Sequence, residues 1–117
     1  MSKSTATNLS VESATSEPRV VSLAQLATVQ ETSIVSRQLL KKEAGNVTLF
    51  AFAAGQGLSE HTAPFDALVH VLEGEAEVTI SGKPYKLKAG EAIVMPASRP
   101  HALRAVTAFK MVLTMIR

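Results

Sequence analysis

An antiparallel β-sandwich or barrel is the fold class this sequence predicts. Three observations carry it. Apolar residues alternate with period two from Ile34 onward, turn signals recur about every 8–12 residues, and no helical pattern of ordinary length competes. About eight short strands follow from that spacing.

In chain order, residues 1–19 (MSKSTATNLSVESATSEPR) are rich in Ser, Thr, Asn and Glu and lack periodicity. They are expected to form a disordered tail ending near Pro18, and residues 20–117 to form one barrel domain. Ser22-Leu-Ala-Gln25 fits a capping box, with Ser22 as the cap and Gln25 reaching back. It predicts a short helix over about 22–28, with an irregular arm as the alternative. Further on, Val47, Leu49, Ala51 and Ala53 share one face of a strand, and Phe50 and Phe52 the other. Two apolar faces imply a strand buried on both sides, at a sheet or subunit contact. In Glu75 to Ile80 the alternation is cleaner: Glu75, Glu77 and Thr79 face water, and Ala76, Val78 and Ile80 face the core. Ser81-Gly82 turns the chain into Lys83 to Lys88, where Tyr85 and Leu87 alternate with Pro84, Lys86 and Lys88. Ala89-Gly90 leads into Glu91 to Met95, which Pro96 stops. The last strand, Phe109 to Ile116, sets Phe109, Met111, Leu113 and Met115 on one face.

Composition narrows the function classes. With 117 residues, 46% apolar and 19% charged, the chain is one globular domain. The formal charge of +2 comes without a basic run, Lys41 and Lys42 being only a pair, so nucleic-acid binding has no support. The absence of cysteine excludes disulfides and thiol catalysis. No apolar run approaches the ~18–20 residues of a membrane span. Lys3 is followed by no apolar stretch of a secretory signal, and Glu12 and Glu17 argue against a transit peptide, so a cytoplasmic location is expected. No serine sits in a nucleophile elbow and no phosphate-loop spacing occurs.

Two stretches carry chemistry: GQGLSEHTAPFDALVHVLEG, from Gly55 to Gly74, and GEAIVMPASRPH, from Gly90 to His101. Together they resemble the two sequence motifs of the cupin family, and the resemblance covers about residues 45–106. Gly55, His61 and Gly74 match the first motif. Its second histidine falls on Ala63, and its glutamate on Ala67 or Leu68. Gly90, Pro96 and His101 match the second, where Ser98 replaces a glycine and Ala105 an asparagine. The resemblance implies a small antiparallel double-stranded β-helix, or jelly-roll barrel, that forms homodimers. It also implies a barrel cavity for a small-molecule ligand and a divalent metal, of which Zn, Ni, Mn and Fe are the candidates.

Residues 61, 63 and 67 share one face of an extended strand, and residue 101 arrives from a neighbouring one. Imidazole-ligated metals want bonds of about 2.0–2.1 Å and usually three or more protein ligands. His61 and His101 alone make a weak, open site, and His70 is the candidate third ligand. Counted from residue 67, His70 lies on the opposite face with Asp66, Leu68 and Leu72, and joins the cavity only if a bulge reverses that parity. A metal-free acid/base or hydrogen-bonding role for His61 and His101, or a purely structural one, is the alternative. Asp66 is expected as a turn cap and Glu60 as a solvated charge. Arg99 or Arg104, placed in the barrel mouth, would hold a carboxylate; otherwise both are exposed. Met95, Met111 and Met115 form core or an adaptable pocket wall. The reading favoured is a small-molecule-binding module with a weakly held metal. Its alternatives are a metal-dependent oxygenase, isomerase or decarboxylase, and a structural or regulatory dimer.

Overall fold

A computed structural model describes residues 17–117. The expected tail thus lies almost wholly outside the described residues. Nine strands follow one short 3₁₀ turn, Leu23–Gln25. They are β1 (Ile34–Lys42), β2 (Gly45–Phe52), β3 (Gly57–His61), β4 (Asp66–Glu73), β5 (Glu75–Ile80), β6 (Lys83–Lys88), β7 (Ala92–Met95), β8 (His101–Ala105) and β9 (Phe109–Ile116). Five of them form a sheet in the order β1-β2-β9-β4-β7, and the other four a sheet in the order β3-β8-β5-β6. Every pairing is antiparallel. The two sheets face each other as a jelly-roll barrel, the fold expected from the sequence.

The period-two pattern does what it predicts. Ala76, Val78 and Ile80 of β5 are buried, and Leu87 of β6 is too. On β9, Phe109 and Met111 point inward with Phe52, Val69, Val71, Val78 and Leu103. The rings of Phe52 and Phe109 stack at 4.6 Å between centroids, joining β2 to β9 at the barrel's centre. Between β5 and β6, Ser81 and Gly82 both take positive φ, 49° and 82°. A two-residue hairpin loop of the kind that matches strand twist asks for both.

The doubly apolar strand β2 has a specific explanation. Phe50 and Phe52 face the barrel interior, while Leu49 and Ala51 belong to a second cluster on the outer side of the five-stranded sheet. There Val112 of β9 and Ala27 complete the buried set, with Leu26 and Val29 packed against it. The chain's own N-terminal arm therefore covers the face that the sequence left open to a sheet or a subunit.

The arm is not the expected helix over 22–28. Only Leu23–Gln25 turns, and the Ser22 side chain makes no capping bond. Two carbonyls of the segment accept tertiary bonds instead. The Arg37 guanidinium donates to Leu26 O, 2.6 Å away, and Lys110 Nζ donates to Ala24 O, also at 2.6 Å. Arg37 is buried, and burial, followed by the charge of Arg19, holds it below its ordinary pKa. Replacing Lys110 with Met keeps the apolar stem and removes the clamp. It is expected to cost about 1–2 kcal/mol and to speed protease cleavage before residue 30, read by limited proteolysis and urea unfolding. Unchanged cleavage would show that the clamp does not hold the arm.

Candidate functional site

β3 and β8 lie side by side, and their register places His61 directly opposite His101. Between Leu58 and His61 the pairing shifts, so β3 carries a bulge. Without it, Leu58 and His61, an odd number of residues apart, would face opposite ways. With it, both line one cavity. A bulge does reverse strand parity in this protein, but at residues 59–60 and not ahead of His70.

The cavity has a volume of about 60 Å³. That is room for a cation with a few waters, or for a short hydrocarbon segment. His61 and His101 form its polar corner, and Ala63 and Ala67 also line it. Positions 61, 63 and 67 of the first motif and 101 of the second thus converge on one space. Met95, Met111 and Met115 supply much of the remaining wall, as pocket rather than sealed core alone. His101 is buried at 8% exposure, whereas His61 is exposed at the opening.

The two loops that carry the motifs are tied together. Ser98 N donates to Ala63 O at 2.8 Å, and Ala97 N donates to the Asp66 carboxylate at 2.9 Å. Asp66, expected as the cap of its own turn, starts β4 and accepts instead from a loop about thirty residues away. Ser98 stands at φ +64°, the left-handed region where the motif's usual glycine would sit without strain.

Hydrogen bonds orient the histidine pair. His61 Nδ1 lies 2.8 Å from Ser59 O, and His101 Nδ1 lies 3.1 Å from Arg99 O. A carbonyl only accepts, so each Nδ1 carries the proton. The two Nε2 atoms then face each other 3.2 Å apart. Such a separation suits a proton shared between the two nitrogens or a cation bound by both. Two nitrogens bound at about 2.05 Å to one tetrahedral cation would stand about 3.3 Å apart, so the pair fits a shared metal. Nδ1 bonds to carbonyls are of the kind that orients metal-ligating imidazoles.

The other residues expected at the site do not join it. His70 is exposed on the outer face of β4, between the inward-facing Val69 and Val71. The register shift in that strand comes later, between Val71 and Glu73, and does not turn His70 inward. Among the described residues, no group of three or more His, Asp or Glu is placed to hold a metal. Arg99 donates to Ser81 Oγ at 2.9 Å, and Arg104 pairs with Glu77 at 3.7 Å on the outside of the four-stranded sheet. Neither arginine lines the cavity. Glu60 is exposed, as expected.

Residues 48–117 match the family described as Cupin domain. The chain belongs to the cupin family. Its fold is shared with a conserved protein of unknown function from Streptococcus pyogenes, 38% identical, with a TM-score of 0.83 over 86% of this chain and 89% of that one. A cupin superfamily protein from Desulfitobacterium hafniense is 29% identical, with a TM-score of 0.81 over 86% and 92% of the two chains. A Cupin 2 conserved barrel domain protein from Leptotrichia buccalis is 41% identical over 80% of this chain, with a TM-score of 0.78. This cupin spans only 46% of that longer chain. No protein of curated function matches the sequence. Within the cupin frame, the motif positions at Ala63 and Ala67 line the cavity without a donor atom, and the two histidines are the donors left.

Proposed function

We propose that this cupin is a small-molecule-binding module whose cavity holds a divalent cation on His61 and His101. The observation that carries the reading is the facing pair of Nε2 atoms, 3.2 Å apart, with both Nδ1 groups turned onto carbonyls. Bound there, the metal would supply a Lewis-acidic centre with open positions for an oxygen or nitrogen of the ligand. The chain's part is to orient the two imidazoles, close the apolar wall around the ligand and limit water. Two protein ligands hold a metal less firmly than three, so exchangeable binding follows rather than a permanently loaded site.

Calorimetric titration of metal-stripped protein with Zn and Ni tests this. The expected result is one site per chain, of micromolar affinity or weaker, abolished by His61→Ala and by His101→Ala. His70→Ala should leave it unchanged, because His70 faces outward. No binding at millimolar metal, or equal loss in all three variants, would end the reading.

A further inference from the structure

Every methionine of the chain after Met1 lines the histidine cavity. Met95 and Met111 are buried and Met115 is half-buried, while Leu, Ile, Val, Ala and Phe fill the rest of the core. Two of the three hold a particular place. Ala67 of β4, the cavity-lining candidate for the first motif's glutamate, pairs with Met95 of β7 on one side and with Met115 of β9 on the other. Residues paired across neighbouring strands point to one face, their Cβ atoms about 4.5–5.5 Å apart. The place of the missing carboxylate is therefore flanked by two thioether side chains.

A cation held at tetrahedral angles by two nitrogens has two further positions to fill. Apart from the two imidazoles, sulfur is the only heteroatom in the side chains that line the cavity. Thioether sulfur is uncharged and polarisable, a soft donor. Cu(I) accepts thioether and imidazole together, whereas Zn is ordinarily held by thiolate, imidazole and carboxylate. Charge points the same way. The cost of taking an ion out of water rises with the square of its charge, and no anionic side chain lines this apolar cavity to offset it. We infer that the cavity selects Cu(I), with His61 and His101 giving the nitrogens and Met95 and Met115 the sulfurs. Sequence alone does not show this set, because Met95 and Met115 read as plain apolar positions until β7 and β9 lie on either side of β4.

Copper here uses the same two histidines as the divalent cation proposed above and so rests on that reading; the experiment keeps the two apart. Cu(I) is titrated without oxygen into the full chain against bicinchoninate, a coloured Cu(I) chelator, and Zn is titrated in parallel. Wild type, His101→Ala and Met95→Leu/Met115→Leu are compared. Leucine keeps the volume of methionine and removes the sulfur, and urea midpoints check that the variants are folded. Wild type is expected to bind one Cu(I) per chain about a hundredfold more tightly than Zn. The leucine variant should lose at least tenfold in Cu(I) affinity and nothing for Zn, and His101→Ala should lose both metals. X-ray absorption of the wild-type copper complex needs no variant: the chain has no cysteine, so any sulfur bound to copper is a thioether. A shell of nitrogen and oxygen alone, Cu(I) affinity no higher than that for Zn, or Cu(I) affinity unchanged in the leucine variant overturns the copper assignment. The histidine reading then still stands if His101→Ala loses Zn. Sulfur-dependent Cu(I) binding with no Zn binding supports copper and ends the divalent reading. If neither metal binds, both fall.

Discussion

Replacing Gly74 with Ala is expected to be the most damaging single-methyl change in this protein. Gly74 joins β4 of one sheet to β5 of the other at φ +79°, a conformation that L side chains rarely adopt. A Cβ there would collide with Ala108 O and lie 2.7 Å from Phe109 Cβ and 2.8 Å from Phe109 Cα. Those atoms belong to the turn that starts β9, whose Phe109 stacks on Phe52 in the core. The neighbour is largely backbone and cannot swing aside. Conformational strain of about 1 kcal/mol adds to overlap of about 1–3 kcal/mol, a large share of a small domain's stability. Gly90→Ala is the control: its φ is +89°, yet nothing lies within 4 Å of the added carbon. It should cost only the conformational part. Urea unfolding of the two variants decides the matter, and equal losses would refute the close approach.

The second large effect is a gain. Ala63→His is expected to raise divalent-metal affinity at least tenfold, equivalent to about 1.4 kcal/mol. Ala63 lines the cavity with His61 and His101, and its carbonyl is held by Ser98 N. An imidazole there would add a third nitrogen from a backbone already fixed in place. The gain should vanish when His101 is also replaced by Ala, as competition against a fluorescent chelator would show. An affinity no higher than wild type would mean that position 63 does not aim at the point the two histidines share.

Much of the barrel was legible because its strands have one wet and one dry face. β5, with Glu75, Glu77 and Thr79 outside and Ala76, Val78 and Ile80 inside, carries its orientation in its letters. The two faces of β2 were legible as apolar, but not what covers the outer one. Leu26, Ala27 and Val29 have no periodicity of their own and gain meaning only when laid on Leu49, Ala51 and Val112. The capping box at Ser22 misled for a related reason: Arg37 and Lys110 claim the carbonyls of Leu26 and Ala24 for tertiary bonds. At the site, glycine spacing located His61 and His101, whereas His70, offered as a third ligand through a bulge, keeps the outward face that plain strand parity gives it. The bulge at residues 59–60 was not legible, since no glycine or proline occupies those two positions. Nor was the pairing of Arg99 with Ser81 or of Arg104 with Glu77, which depends on which strands become neighbours.

The clamped arm also bears on where this molecule can be cut. The strands that carry the two histidine motifs all lie after Ala54, and trimming the chain to them would look harmless on paper. It would remove β1 and β2 along with the arm, strip the cover from Val112 and leave β9 as a bare sheet margin with apolar residues on both sides. Such a margin recruits other chains. The smallest piece that keeps its own surface begins near residue 20, so fusion partners and affinity handles belong ahead of the arm rather than in its place.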